Sequence, residues 1–306
     1  MTDVETPHAA SEGEPRAEVR VVDAPLRPPS DTTGLMEVFR RRYLLRLLVK
    51  REISARYQGS FLGLLWSYIN PLSQFLIYYF IMQIVIGRGQ FENFAVHVFC
   101  GLIVVHFFTE TFNAGTRSIV RNKSLVQKMA VPREMFPVAS MLVSLFHVVP
   151  QLVILVAVSL LYGYTPDPGA FAAASLALAI VMVLGTALAL LFSTANVFFR
   201  DFSSAVNILT NFTRFGVPMI YPYTMVQERF GSAAEYYLWN PMANAVLLVQ
   251  RGFWVGTTKD PEETARVHLP ANLFELGLWS LLGSLVLLVV AQRVFSRLEQ
   301  RIPERL

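Results

Sequence analysis

"NKSLVQKMAVPREMFPVAS", residues 122–140, is a basic island in an apolar chain. It begins with Lys123 and Lys128, crosses Pro132 and Pro137, and runs into a long uncharged stretch. Another uncharged stretch lies upstream, closed by Glu110, Arg117 and Arg121. The chain has 306 residues, of which 54% are hydrophobic and only 16% charged. A soluble domain carries about 25% charged residues. Mean hydropathy is +0.44. This bias is that of an integral membrane protein, and the island is where such a chain leaves the bilayer and turns back.

A helix needs roughly 20 mostly apolar residues to cross a bilayer. The uncharged intervals between Arg56 and Arg88, Glu92 and Glu110, Glu134 and Asp167, and Asp167 and Arg200 hold one span each. A fifth follows Asp201, interrupted by Arg214, and "LFELGLWSLLGSLVLLVVAQ" is the sixth. The expected spans are about 63–87, 93–115, 138–162, 170–196, 203–224 and 272–292. The predicted fold class is an all-α membrane protein with these six transmembrane helices.

Orientation follows from Lys and Arg near the span ends. Arg40, Arg41, Arg42, Arg46, Lys50, Arg51 and Arg56 precede the first span. Arg117, Arg121, Lys123, Lys128 and Arg133 lie between the second and third, and Arg293, Arg297, Arg301 and Arg305 close the chain. The opposite side is poor in bases. Both termini and the island are therefore expected in the cytoplasm, in a multi-pass protein of the cell inner membrane. Residues 299–306 form the cytoplasmic C-terminal end.

Residues 1–34 carry seven acids, three bases and five prolines. They read as a disordered cytoplasmic tail. The segment lacks the basic start and apolar core of a signal peptide. Residues 35–57, "LMEVFRRRYLLRLLVKREISARY", combine apolar bulk with positive charge. They read as an amphipathic helix lying at the interface, the alternative being a plain basic juxtamembrane segment. Cys100 is the single cysteine, so no intrachain disulfide can form.

On a helical wheel of residues 117–129, Arg117, Arg121 and Lys128 share one face. Ile119, Leu125, Val126 and Met129 lie mostly opposite, with Lys123 intruding. Pro132 ends the segment, because its ring does not continue a regular helix. From the wheel alone, two readings stand: a short amphipathic helix with a task, or a charged loop that fixes topology.

Several stretches carry a family likeness. "LVKREISARYQGSFLGLLWSYINPL" resembles the lead into the first span of ABC-2-type permeases that export polysaccharides. The island resembles their loop between spans two and three. "NVFFRDFSS" is similar to their turn between spans four and five, and "PMIYP" with "WNPMANAVLLVQRGFW" to the end of span five and the external segment after it. The likeness covers roughly residues 40–295, in order, with residues 58–298 as the transmembrane domain. Such permeases are subunits of O-antigen, teichoic-acid, capsule and galactan exporters, and the nearest likeness is to the actinobacterial exporter of lipid-linked galactan, the arabinogalactan precursor.

The resemblance implies a homodimer in which each copy docks one soluble ABC ATPase, so two ATPase copies per complex. It implies no enzymatic activity in this chain: ATP and Mg would be bound by the partner subunit. No G-x-x-x-x-G-K-[ST] phosphate loop occurs in the sequence. No cofactor, catalytic residue or metal site is expected, and His97, His106 and His147 read as helix-packing residues. The expected ligands are a lipid-linked polysaccharide and membrane lipids, with no nucleic acid. The island becomes a cytoplasmic coupling helix over about 117–129, with Arg117, Arg121 and Lys128 facing the ATPase or headgroups. Arg200 and Asp201 would form a second contact with the ATPase.

A glycan conduit needs aromatic faces and polar groups. Trp66, Asn70, Gln74 and Tyr78 recur every four residues in the first span and would line it, unless they only join helices. Phe107 and Phe112 add aromatic surface in the second span, and Glu110 would sit at the cytoplasmic mouth, paired with a base, its other reading being an exposed acid at the membrane edge. Arg214, deep in the fifth span, would face a cavity or a partner, or attract the carrier phosphate. The segment 225–257, with Tyr236, Tyr237, Trp239 and Trp254, resembles external re-entrant helices that gate the channel. Its other reading is a loop of interfacial aromatic anchors.

Two competing classes are a polytopic membrane enzyme, such as a lipid-dependent glycosyltransferase, and a stand-alone lipid flippase. The enzyme would require paired carboxylates or a metal motif, whereas Glu92, Glu110, Glu134, Asp167 and Asp201 are dispersed. The flippase would not require an ATPase-docking helix.

Overall fold

In the computed structural model, residues 34–81, 92–128, 131–164 and 167–305 are described. The expected tail up to residue 33, the end of the first span beyond Ile81, and residue 129 of the island lie outside them. The described residues form helices and turns without a strand. In chain order these are α1 (Leu35–Arg40), α2 (Arg42–Tyr57), α3 (Trp66–Tyr79), α4 (Phe94–Arg121), α5 (Lys123–Lys128), α6 (Met135–Leu161) and α7 (Pro168–Phe198). There follow α8 (Phe202–Phe215), α9 (Tyr223–Phe230), α10 (Ala234–Tyr237), α11 (Pro241–Val249), α12 (Pro261–His268), α13 (Leu273–Leu298) and α14 (Ile302–Arg305).

Among the described residues, α4, α6, α7 and α13 are long and apolar enough to cross a membrane. At 1.5 Å per residue each exceeds the roughly 30 Å of bilayer hydrocarbon. Two of the six expected spans are represented by shorter stretches of α-helix among the described residues. α3 has 14 residues and passes into a π-turn at Phe80 and Ile81. α8 also has 14 residues and stops at Gly216, because Pro218 lies two residues on and would break a continuing helix. At 14 residues α8 is about 21 Å long, short of the hydrocarbon thickness.

The core centres on α4 and α7, with α6 packed on α4 and α13 on α7. Small residues let the two central helices approach. A Cβ on Gly115 would collide with Ala189, and one on Gly185 would stand 2.9 Å from Thr111 Cγ2. Packing of this kind holds helices together where lipid removes the usual hydrophobic drive. The outer face of α13 shows Leu278, Leu282, Leu285, Val286, Val289 and Val290 uncovered. An apolar stripe of that length suits acyl chains.

α11 is buried along its length and packs on α4, α7 and α13. Its start is set locally: the Asn240 side chain accepts from Met242 N at 3.0 Å and Pro241 occupies the first turn. Asn244 then ties the helix to the Leu238 carbonyl at 2.7 Å and to Ser280 of α13 at 2.8 Å.

Candidate functional site

α3 presents Trp66, Asn70 and Gln74 one turn apart, on the face that meets the end of α2, α4 and α6. Together with Arg56, Tyr57, Ser67, His106, His147 and Gln151 they line a cleft of about 400 Å³. Pro71 inside α3 is buried on the same wall, where it removes one backbone donor. Tyr78, the fourth residue of the expected stripe, is half-buried and does not line the cleft.

The wall opposite α3 is a hydrogen-bonded array. Tyr57 Oη contacts Ser67 Oγ and lies 3.0 Å from His147 Nδ1. Gln151, one turn beyond His147, places Nε2 2.8 Å from His106 Nδ1 and donates to the His147 carbonyl at 3.2 Å. His147 Nε2 is buried with no partner. One turn past His106 on α4, Glu110 accepts from Arg56 Nη1 at 2.6 Å. The sequence reading expected a base beside Glu110, and Arg56 is that base. His106 and His147, read as packing residues, instead line the cleft. Their signal was the one-turn spacing of His106 with Glu110 and of His147 with Gln151. His97 does pack, stacked on Phe94 and edge-on to Trp254.

Phe107 and Phe112 are not on this surface. Both are buried, Phe107 on the wall of an apolar pocket and Phe112 edge-on to Phe192. Arg214 is in the last turn of α8 and exposed, and its charge acts on the His106 ring. The expected mid-span position does not hold, because α8 ends immediately after it.

A second chamber of about 370 Å³ lies on the other side of Arg56, lined by Arg51, Glu52, Arg56, Glu110, Arg121 and Asn122 with small residues of α4 and α6. Here α2 meets the island. The island is divided: Arg117 and Arg121 belong to the end of α4, Asn122 turns the chain, and only Lys123–Lys128 form the separate α5. Arg117 donates to Asn207 of α8 at 2.8 Å, and Arg121 pairs with Glu52 of α2 at 2.5 Å. Lys128 is exposed. Arg200 and Asp201 form an exposed turn between α7 and α8. Asn196 holds that turn by accepting from Ser203 N at 3.2 Å and donating to the Thr116 carbonyl at 3.3 Å.

At the far end, Tyr237 Oη lies 3.1 Å from Tyr221 Oη, and its ring stacks on Tyr223. Burial, followed by the Tyr221 hydroxyl, holds the Tyr237 phenol protonated far above its usual range. Tyr236 and Trp239 are exposed and meet edge to face. Trp254 is different: it is 1% exposed and its indole N–H donates to the Glu92 carbonyl at 2.9 Å. It is a packing pillar of the segment. Among the described residues no group of three or more His, Cys, Asp or Glu is placed to hold a metal ion.

A bundle of long apolar helices around a polar, aromatic cleft is that of a polytopic membrane protein. The chain belongs to the family described as ABC-2 type transporter, which matches residues 43–254. It is similar to the O-antigen export system permease protein RfbA of Klebsiella pneumoniae, with 28% identity over 262 residues, 85% of this chain and 94% of that protein. It is also similar to the protein of the same name from Myxococcus xanthus, with 29% identity over 226 residues, 74% of this chain and 86% of that one.

Proposed function

We propose that this chain is the transmembrane permease subunit of an ATP-driven exporter that moves a lipid-linked polysaccharide outward across the cytoplasmic membrane. The observation that carries the proposal is the cleft between α2, α3, α4 and α6. It sets Trp66 beside the amides of Asn70, Gln74 and Gln151 and the imidazoles of His106 and His147. An aromatic face among neutral hydrogen-bonding groups is what sugar rings and hydroxyls bind. Polar groups at this depth are costly unless they face protein or water.

Two copies of the chain would form the channel, each docked by one soluble ATPase through α5 and the Arg200–Asp201 turn, with both termini cytoplasmic. The exported polymer is read as a galactan precursor of arabinogalactan. Tyr236, Tyr237 and Trp239 would close the outer end.

The test is export in cells lacking the chromosomal copy, complemented with Asn70→Leu, Gln74→Leu or Gln151→Leu. Each variant is expected to assemble normally and to lower surface glycan about tenfold, while lipid-linked glycan accumulates inside. Full export by all three would sink the cleft reading. Capture of the chain without any ATPase in mild detergent would favour a stand-alone flippase.

A further inference from the structure

Among the described residues, Arg56 is the one side chain that lines both the cleft and the chamber beside it. Its ion pair with Glu110 therefore lies on the boundary between them. Glu110 is eleven residues from the end of α4, about 16 Å into the bundle at 1.5 Å per residue. Both side chains are partly uncovered, 45% for Arg56 and 28% for Glu110, so a ligand can reach either.

The chamber is basic, with Arg51, Arg56 and Arg121 against Glu52 and Glu110. Its remaining polar wall is quiet, because Ser140 and Ser144 donate to carbonyls of their own helix. Each arginine is held by a group of this chain: Arg51 by Asn122, Arg121 by Glu52, Arg56 by Glu110. Glu110 is the deepest of these partners along α4. On the cleft side, the buried and unpartnered His147 Nε2 leaves a further polar contact unused.

We propose that Glu110 occupies the position on Arg56 that a phosphate or pyrophosphate group of a lipid carrier takes, making the pair a displaceable latch between chamber and cleft. A carboxylate brings one negative charge to the guanidinium. A pyrophosphate brings more, and offers oxygens in the bidentate geometry that arginine prefers. Its arrival frees Glu110 and joins the two cavities. This inference rests on the export reading for the carrier, but the latch is a property of an anion and two side chains.

The test therefore uses probes without glycan. Full-length chain in lipid nanodiscs is titrated with farnesyl pyrophosphate, farnesol and inorganic pyrophosphate. Glu110→Gln is expected to bind farnesyl pyrophosphate about tenfold more tightly than the native chain, since a charged competitor is removed. Misfolding does not produce a gain in affinity. Arg56→Gln is expected to lose the binding, and Arg56→Gln with Glu110→Gln to match Arg56→Gln alone. Farnesol is expected to be indifferent to both substitutions.

Unchanged affinity in Glu110→Gln would overturn the latch and leave a purely structural ion pair. Equal gains for farnesol would show that no anion is read. A gain for inorganic pyrophosphate with none for farnesyl pyrophosphate would overturn the carrier assignment. Full glycan export in cells that lack this chain, with the latch behaviour intact, would count against the export reading alone.

Discussion

Arg121, in the last turn of α4, donates to Glu52 Oε2 of α2 at 2.5 Å. The adjacent Asn122 donates to the other oxygen of the same carboxylate at 3.3 Å. Glu52 thus holds the end of α4 and the turn residue that leads into α5. Arg121 is half exposed, so the pair is worth at most about 1 kcal/mol in stability. Its value is geometric: a displacement of the elbow carries α2 with it. Glu52→Gln is expected to leave the thermal midpoint nearly unchanged and to lower transport per ATP hydrolysed several-fold. The exchange Glu52→Arg with Arg121→Glu is expected to recover most of it. Transport and hydrolysis measured on the same reconstituted complex check this.

The grip also changes which residue tests docking. Reversing Arg121 disturbs an internal ion pair as well as any contact with a partner. Lys128 is exposed on α5, and none of the ion pairs among the described residues involves it. Lys128→Glu is expected to weaken capture of the ATPase about tenfold without altering the stability of the permease alone. Capture at native strength would show that α5 is not where the ATPase sits.

Two tryptophans of the segment 225–257 are expected to respond in opposite ways. Trp254 fills the space beside His97 and bonds the Glu92 carbonyl, while Trp239 is 77% exposed. Trp254→Ala is expected to cost about 3–5 kcal/mol, by lost burial and the cavity left behind. Trp239→Ala is expected to stay within about 0.5 kcal/mol. Thermal stability in detergent reads both. A gating role would appear for Trp239 only as altered export in a chain of native stability.

The long helices were legible because apolar length is a summed signal. Uncharged runs of 17 to 32 residues outweigh any local propensity, and α4, α6, α7 and α13 follow from them. The cleft was half legible: Trp66, Asn70 and Gln74 announce themselves by recurring every four residues on a helix whose other faces are apolar. Their partners were not, since His106, His147 and Gln151 come from two other helices and meet only through tertiary packing. Phe107 and Phe112 are buried between helices, and aromatic composition alone does not distinguish a conduit wall from a helix interface. Arg214 was misplaced for a local reason: the turn at Gly216 shortens the helix that the uncharged interval promised.

A last relationship concerns acidity at the end of the chain. Glu299 follows α13 and is 2% exposed, 3.7 Å from Arg133, whose guanidinium also donates to the Glu299 carbonyl at 2.5 Å. Its Oε1 has no hydrogen-bond partner, and Glu134, bonded to Gln292, adds a second buried carboxylate. Burial and the Glu134 charge push the Glu299 carboxyl from its ordinary 4.5 to about 7, against the pull of Arg133. The folded state thus holds a proton that the unfolded chain has released. The stabilisation is complete below about pH 4.5 and is lost as pH rises through about 7. Docking of the C-terminal end against α6 is expected to loosen over that range. Glu299→Gln, fixed in the neutral form, is expected to flatten the dependence and to be the more stable protein above pH 7. Melting curves of both proteins from pH 5 to 8.5 decide it, since equal destabilisation by Glu299→Gln at every pH would mean that the ion pair with Arg133, rather than the proton, holds this end.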